Sequence, residues 1–160
     1  MLMDTGSHMV DVLCWLVGRS FEGVQALVDD RGRPVDIDTT AVIAFEGGAR
    51  AQLTVLGDTP FVWLESVVVT GTRAALRYEN DPQHPWRPGQ VSRLTDEAET
   101  RPLNLHAGSD DVVAAWVATI RGERENPVPP AAGVRVAELT TAIVEAGRSV
   151  RFAPASGAAG

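Results

Sequence analysis

One short segment near the start of the chain carries side chains that could move a proton. Asp4 and His8 are four residues apart, and Asp11 follows His8 by three. On a helix, this spacing places all three side chains on one side. Histidine exchanges protons near neutral pH, and a neighbouring carboxylate can orient its ring. The segment therefore indicates either general acid–base chemistry or an ordinary helix start with polar residues in its first turn.

Other interpretations of the same residues fit less well. A metal site formed by Asp4, His8 and Asp11 is disfavoured because three ligands on one helix rarely converge on one ion. A hydrolase that uses His8 and Asp11 requires a buried pocket around them. The run Gly6-Ser-His-Met9 resembles a tag-cleavage scar, but five residues precede it and the helical pattern continues through it. We expect Asp11 to cap the helix or pair locally rather than react.

The composition of the chain excludes several classes of partner and chemistry. The net charge is −7 and there is no basic run, so nucleic acid and anionic lipid are unfavourable partners. All fourteen cationic side chains are arginine, which leaves no lysine for amine chemistry. The single cysteine excludes a disulfide framework within the chain. Its apolar runs are too short to cross a bilayer and no basic leader is present, so we predict a cytoplasmic location.

The elements that must position the first segment form a simple order along the chain. The first helix is predicted to stop at Gly18, because glycine adopts the left-handed conformation of a helix end. Sequential strands with tight turns follow, and two helices are predicted from Ser109 to about Ile120 and from about Ala132 to Ser149. Strands followed by helices predict an α+β fold: an open, mostly antiparallel sheet with helices packed on one face.

The clearest local prediction is a hairpin centred on Gly47-Gly48. Two glycines can form a two-residue turn because both positions accept a positive φ. That turn pairs Phe45 with Arg50 and Ile43 with Gln52. The register fixes which side chains share a face of the sheet, so it also decides which of them are free to meet a partner.

The two faces of this predicted hairpin differ in polarity. Ile43, Phe45, Arg50 and Gln52 together form a face of mixed polarity. The opposite face is wholly apolar and should pack under helices; it contains Val42, Ala44, Ala49, Ala51 and Leu53. A mixed face fits a subunit interface or the floor of a ligand site, and a sheet face with a few exposed apolar residues explains it equally well.

The four tryptophans divide according to their surroundings in the sequence. Trp15 and Trp116 lie on apolar helix stripes and are predicted to belong to the core. Trp63 and Trp86 are the candidates for an interface or a ligand surface. Trp86 shares a proline-rich loop with His84, and a rigid surface connector is the commoner explanation for such a loop.

Four segments, taken in order, match the pattern of one known domain. They are Asp4 to Asp11, similar to D-x-G-x-H-x-x-D; the hairpin from Asp38 to Ala49; Val69 to Leu76, similar to a G-T-x-G-x-L turn; and Ile120 to Val150, similar to a closing helix pair. Together they resemble the C-terminal domain of the Gfo/Idh/MocA oxidoreductase family (glucose–fructose oxidoreductase and inositol dehydrogenase). The similarity extends to about Phe152. We therefore expect a C-terminal domain over residues 1–152 and a flexible tail over residues 153–160.

The resemblance implies an NAD(P)-dependent oxidoreductase that acts on a sugar, cyclitol or other polyol. In that family a Rossmann domain binds NAD or NADP, and the C-terminal domain supplies substrate contacts and the oligomer interface. Asp4 and His8 fall on the family's catalytic aspartate and histidine, so His8 would take the hydroxyl proton. Ile43, Phe45, Arg50 and Gln52 are then the candidates for a homodimer interface on the open sheet face.

The sequence also departs from the family's pattern. The usual catalytic lysine, in a Glu-Lys-Pro segment of the Rossmann domain, has no counterpart among these residues, and no G-x-G-x-x-G fingerprint occurs. Ala74 or Ala75 stands where the family often has glycine. We expect a domain that binds no cofactor by itself and is not catalytically competent alone, which leaves open whether the chain is an enzyme. The alternative is a stand-alone α+β binding or scaffold module without redox activity.

Overall fold

The described part of the chain forms two compact units, each with its own antiparallel sheet. One unit contains residues 1–58 and the described residues from 125 onward, and the other contains the described residues between 59 and 124. The α+β prediction is confirmed, and the strands divide between two sheets rather than forming one. The computed structural model describes residues 1–60, 63–85, 87, 89–95, 101–102 and 111–148. The predicted tail, residues 153–160, lies outside this set.

Helices occur where the sequence patterns predict them. A π-helical turn, Leu2–Gly6, runs directly into α1, Ser7–Val17. The later helices are α2, Val112–Ile120, and α3, Pro130–Arg148. Gly18 has φ 62° and its N–H donates to the carbonyl oxygen of Cys14, which confirms the predicted helix end. None of the described helices combines the length and the apolar character that crossing a membrane requires.

The strands of each sheet follow one another in chain order, and every neighbouring pair is antiparallel. The first sheet contains β1 (Phe21–Asp29), β2 (Asp38–Phe45) and β3 (Arg50–Leu56). The second sheet contains β4 (Ser66–Thr70), β5 (Ala75–Glu79), β6 (Gln90–Leu94) and β7 (Arg101–Pro102).

The core of the first unit lies between its sheet and two helices. α3 packs on β1 and also on α1, so both helices cover the same face of the sheet. Val10 of α1 and Leu139 and Ile143 of α3 are fully buried, at the helical spacing the sequence predicts. The other buried apolar residues are Leu2, Ala26, Ala41, Ile43, Phe45, Leu53 and Val55.

The hairpin between β2 and β3 closes through three residues instead of two. The N–H of Phe45 donates to the carbonyl oxygen of Ala49 at 2.9 Å, and Glu46–Gly48 form a 3₁₀ turn in which both glycines have positive φ. Ala44 therefore pairs with Arg50, and Ile43 pairs with residue 51. The predicted two-residue turn is wrong, and the register is shifted by one residue.

This shift exchanges the two faces of β2. Side chains alternate along a strand, so a slip of one residue moves each of them to the opposite face. Ile43 and Phe45 are 0% and 1% exposed and lie under the helices, whereas Val42 is 50% exposed. Arg50 and Gln52 remain exposed as expected. The prediction that all four interface candidates share one open face is therefore wrong for Ile43 and Phe45.

Two tryptophans predicted in the core are exposed. Trp15 lies on α1 opposite its buried side and is 78% exposed. Trp116 is 64% exposed because α2 buries none of its residues, and its neighbours Val112 and Ile120, one turn away on either side, are 82% and 66% exposed. We call Val112, Trp116 and Ile120 the α2 stripe. Trp63 is 44% exposed, and Trp86 lies outside the described residues.

Candidate functional site

A groove of about 510 Å³ lies between two helical walls of the first unit, with His8 on one of them. The walls are mostly apolar, with a few hydroxyl, imidazole and carboxylate groups among them. The first wall consists of Met3, Ser7, His8 and Asp11, and the second of Val128, Gly133, Val136, Ala137, Thr140 and Thr141.

Helical periodicity explains why these side chains meet. On α3, positions 133, 136, 137, 140 and 141 are three or four residues apart and form one face. On α1, Ser7 and His8 lie one turn before Asp11. Because α1 packs on α3, the two faces stand beside each other. The groove is thus a direct product of the helix packing that also forms the core.

The groove brings His8 and Asp11 together. His8 and Asp11 are exposed and both line the groove. Asp4 is also exposed but is not among the described residues that line it. It lies in the π-helical turn, where the N–H of Gly6 donates to the carbonyl oxygen of Met1 at 3.0 Å. The hydroxyl of Ser7 donates to the backbone oxygen of Asp4 at 2.7 Å, which ties this turn to α1.

Two alternative chemistries lack the geometry that they need. No three histidine, cysteine, aspartate or glutamate side chains among the described residues are grouped to hold a metal ion. The hydrolase interpretation requires a buried pocket around His8 and Asp11, and both side chains are exposed on an open groove. General acid–base chemistry at His8 needs neither feature.

The carboxylate of Asp11 affects the pKa of Cys14, which lies three residues further along α1. Burial raises the pKa of the Cys14 thiol, and the carboxylate of Asp11 raises that pKa further. The guanidinium of Arg135 acts in the opposite direction. Asp11 is therefore close enough to influence Cys14 as well as the groove, which the sequence-based expectation of a helix cap does not cover.

Thr140 is the functional candidate that sequence reasoning missed. It is 3% exposed, it lines the groove, and its hydroxyl oxygen has no hydrogen-bond partner among the described residues. A threonine in a helix often donates to the carbonyl four residues earlier, as Thr119 does to Ala115 at 2.9 Å. In the sequence, Thr140 is one of several small polar residues on a helix, and no spacing or motif singles it out.

A second depression, of about 570 Å³, lies on the second unit. Among the charged residues that line it, Arg77 pairs with Glu79 at 2.7 Å, and Asp81 pairs with the neighbouring His84 at 2.8 Å. The hydrogen bond with His84 holds the pKa of the Asp81 carboxyl below its usual range. Asn80 is buried and holds nearby backbone through its side-chain amide. These contacts favour the structural interpretation of the loop around His84.

Residues 1–154 match the C-terminal alpha/beta domain of the Gfo/Idh/MocA oxidoreductase family. The chain belongs to this family. The match covers the π-helical turn, both sheets and all three described helices, so the family's domain accounts for the whole described fold. The resemblance first seen in four short segments is confirmed. The catalytic roles of Asp4 and His8 stay predictions.

Solved oxidoreductase structures share the fold. The aldose–aldose oxidoreductase from Caulobacter crescentus, complexed with glycerol, is 19% identical over 94% of this chain and 46% of its own, with a TM-score of 0.77. The WlbA dehydrogenase from Bordetella pertussis, in complex with NADH and UDP-GlcNAcA, is 22% identical over 95% and 45%, with a TM-score of 0.69. An NAD-binding protein from Listeria innocua is 26% identical over 93% and 45%, with a TM-score of 0.69.

The Gfo/Idh/MocA chain spans less than half the length of each of these structures. No curated protein matches its sequence. The likeness at 19% and 22% identity extends to the fold alone, so the substrates of those proteins do not carry over with it.

Proposed function

We propose that this chain is the substrate-binding and oligomerisation domain of an NAD(P)-dependent dehydrogenase for sugars or related polyols, and that it is not catalytically competent alone. The observation that carries the proposal is the position of His8 on a groove between α1 and α3, in a domain of an oxidoreductase family. Grooves with mostly apolar walls and a few polar groups are typical of small-molecule sites.

In the proposed reaction, this domain supplies the base that accepts the hydroxyl proton of the substrate. Oxidation of a secondary alcohol removes a hydride from carbon and a proton from the hydroxyl oxygen. His8 would accept that proton, since histidine is the commonest general base in enzymes and this side chain is exposed within the groove. Asp4, four residues earlier, would orient the imidazole or bind a neighbouring hydroxyl of the substrate.

The described residues do not fit NAD or NADP as their sole binding site. A dinucleotide site of the Rossmann type needs parallel β–α–β units and a glycine-rich phosphate loop. Every described strand pair is antiparallel, and the sequence has no G-x-G-x-x-G. The family's catalytic lysine also has no counterpart in these residues. We therefore assign the cofactor and the lysine to a separate Rossmann domain.

The open face of the first sheet is the proposed homodimer interface. Its exposed apolar side chains are Leu27 on β1, Val42 on β2 and Leu56 on β3, which are 36%, 50% and 56% exposed. Arg50 and Gln52 lie on the same face and add polar groups. This mixture is typical of protein interfaces, and helices cover the opposite face. Val42 thus takes the place that the sequence prediction gave to Ile43.

A chimera tests the redox assignment. We would join this chain to the Rossmann domain of the Caulobacter crescentus relative and follow NAD(P)H formation with a panel of polyols and sugars. We expect turnover by the chimera and none by the chain alone. Replacing the proposed base, His8→Gln, should lower kcat/KM by about 10²- to 10⁴-fold. His84→Gln is the matched control, since His84 does not line the groove.

Three results would count against the proposal. Turnover by the chain alone would show that the cofactor site lies within it. A chimera that turns over equally well with His8→Gln would remove the role of His8. A folded chimera with no turnover on any substrate would favour the stand-alone binding or scaffold module.

A further inference from the structure

We infer that Asp36, in the loop between β1 and β2, is a positioning residue for the helical segment that carries Asp4 and His8. Its carboxylate binds the first peptide of that segment, at the start of the π-helical turn Leu2–Gly6. The inference rests on the proposed function, which places the proton transfer at His8. It adds to that function a residue that is not among those lining the groove and that acts through the backbone.

The carboxylate of Asp36 accepts a hydrogen bond from the start of the helical segment. The N–H of Leu2 donates to one carboxylate oxygen at 2.6 Å, and the hydroxyl of Thr39 donates to the same oxygen at 3.3 Å. The N-terminal ammonium of Met1 donates to the backbone oxygen of Asp36 at 2.8 Å and lies 3.1 Å from the second carboxylate oxygen. The first N–H groups of a helix have no acceptor within it, so one must come from elsewhere. Asp36 supplies it from 34 residues away in the chain.

The surroundings of this hydrogen bond are largely shielded from water. Leu2 is fully buried, Thr39 is 1% exposed, and the side chain of Asp36 is 13% exposed. A hydrogen bond to a charged acceptor is stronger in such a place than at the surface. Burial by itself raises the pKa of the Asp36 carboxyl, but the N–H of Leu2 and the N-terminal ammonium outweigh this effect, so the pKa lies below its ordinary value. The acceptor is therefore ionised at neutral pH.

The peptide between Met1 and Leu2 is bound on both of its sides. Its N–H belongs to Leu2 and donates to Asp36. Its oxygen belongs to Met1 and accepts the N–H groups of Asp4 at 3.1 Å and of Gly6 at 3.0 Å. The bond from Gly6 spans five residues, which is the pattern of the rare π-helix. Asp36 thus fixes the same peptide whose oxygen closes the π-helical turn.

The π-helical turn sets the angle of Asp4 around the helix axis relative to His8. A π-turn closes over one residue more than an α-turn, and each residue turns a helix by about 100°. If the turn relaxed to an α-helix, Asp4 would rotate relative to His8 by up to about this angle. Reacting groups must be held close to their productive geometry, and a misplacement of about 1 Å can lower the rate about a hundredfold. We therefore expect Asp36 to affect the rate of proton transfer as well as stability.

Hydrogen exchange of this chain, followed by NMR, tests the contact between Asp36 and the π-helical turn. In Asp36→Ala, the amide hydrogens of Asp4 and Gly6 should exchange about tenfold to a hundredfold faster, because the charged acceptor is lost. Asp36→Asn is the milder variant, since its amide oxygen accepts the N–H of Leu2 without a charge. Exchange in Asp36→Asn should rise by about threefold to tenfold, and this variant decides the test if Asp36→Ala does not fold.

Turnover by the chimera with the Rossmann domain tests the positioning role. Leu2 keeps its N–H in the chimera, so the contact does not depend on a free N-terminus. Asp36→Ala should lower kcat by about tenfold to a hundredfold and leave KM within about twofold, because proton transfer depends on geometry more strictly than binding does. Asp36→Asn should recover most of this loss. Asp30→Ala is the matched control for both experiments: its carboxylate accepts the N–H of Gly32 at 2.8 Å within the same loop, and neither exchange at the turn nor kcat should change.

The two experiments separate this inference from the proposed function. Unchanged exchange at Asp4 and Gly6 in Asp36→Ala would overturn the inference, as would an equal loss of kcat in Asp36→Asn and Asp36→Ala. If exchange rises but kcat does not fall, Asp36 only stabilises the turn; the positioning role is then overturned and the function of His8 stands. If the chimera has no turnover with Asp36 intact, the proposed function fails and the positioning role fails with it.

Discussion

At the scale of single residues, the carboxylate of Asp11 has two effects. It gives the groove a negative charge beside His8, and it raises the pKa of Cys14, whose thiol is already shifted upward by burial. Arg135 opposes this effect from α3. The reactivity of a single half-buried cysteine can therefore report on the charges of both helices that form the groove.

Removal of the Asp11 charge should make Cys14 more reactive. The thiolate is the nucleophile, so its fraction at a given pH rises as the pKa falls. In the Asp11→Asn variant, we expect Cys14 to react severalfold faster with iodoacetamide. The profile of this rate against pH should shift to lower pH. Arg135→Gln should shift it to higher pH. Mass spectrometry measures the rates, and Asp4→Asn is the control, because Asp4 does not contribute to the shift. An unchanged rate–pH profile for Asp11→Asn would contradict the effect of the Asp11 carboxylate on the pKa of Cys14.

His8 could be identified as a candidate from the sequence, whereas Thr140 could not. His8 is evident from its residue type and its spacing to Asp4 and Asp11. Thr140 has no such signal, because its significance depends on burial and on a missing hydrogen-bond partner. Residue type and helical spacing predict which groups can do chemistry, but the facing wall is fixed by how α3 packs on α1.

At the scale of elements, the end of α3 approaches β1 closely. A Cβ atom placed on Gly147 would lie 2.2 Å from the Cγ2 atom of Val28 and 2.9 Å from its Cβ atom. Glycine is therefore required here for close packing of the helix on the sheet. Gly133 lies about four helical turns earlier on α3, and a Cβ atom placed there would have no atom within 4 Å.

This contrast predicts opposite effects of the same substitution in one helix. Gly147→Ala must push α3 away from β1, so it should lower the free energy of unfolding by about 1–3 kcal/mol. Gly133→Ala meets no atoms and gains helix propensity, so it should raise that free energy by up to about 1 kcal/mol. Urea unfolding of both variants measures the difference. Equal effects would contradict the close contact at Val28.

The register of the β2–β3 hairpin could not be predicted from the sequence pattern. Both faces of β2 are apolar, with Val42 and Ala44 on one and Ile43 and Phe45 on the other. Gly47 and Gly48 accept positive φ in a two-residue or a three-residue loop, so neither the turn nor the strand fixes the register. The structure buries the larger pair, which removes more apolar area from water. Helix positions were easier to predict, because each has one apolar stripe.

At the scale of the whole molecule, the open face of the first sheet determines the expected assembly. Phe45 is fully buried, so an arginine at that position would disrupt the core rather than an interface. Val42 is the suitable probe. We expect the chain to sediment as a dimer and Val42→Arg to sediment as a monomer, because the charge would be buried between two copies. Val134→Arg is the control, since Val134 is 56% exposed on α3. A wild-type monomer, or a dimeric Val42→Arg, would contradict the proposed interface.

The α2 stripe affects the solubility of the protein. Val112, Trp116 and Ile120 together expose an apolar surface, and exposed apolar patches promote association. At neutral pH a net charge of −7 keeps molecules apart. This protection disappears as the pH approaches the isoelectric point, about 4.9. Solubility therefore depends on the exposed apolar surface of α2 and on the repulsion between negatively charged molecules. Acidic buffers reduce this charge and high salt screens it, so both favour precipitation.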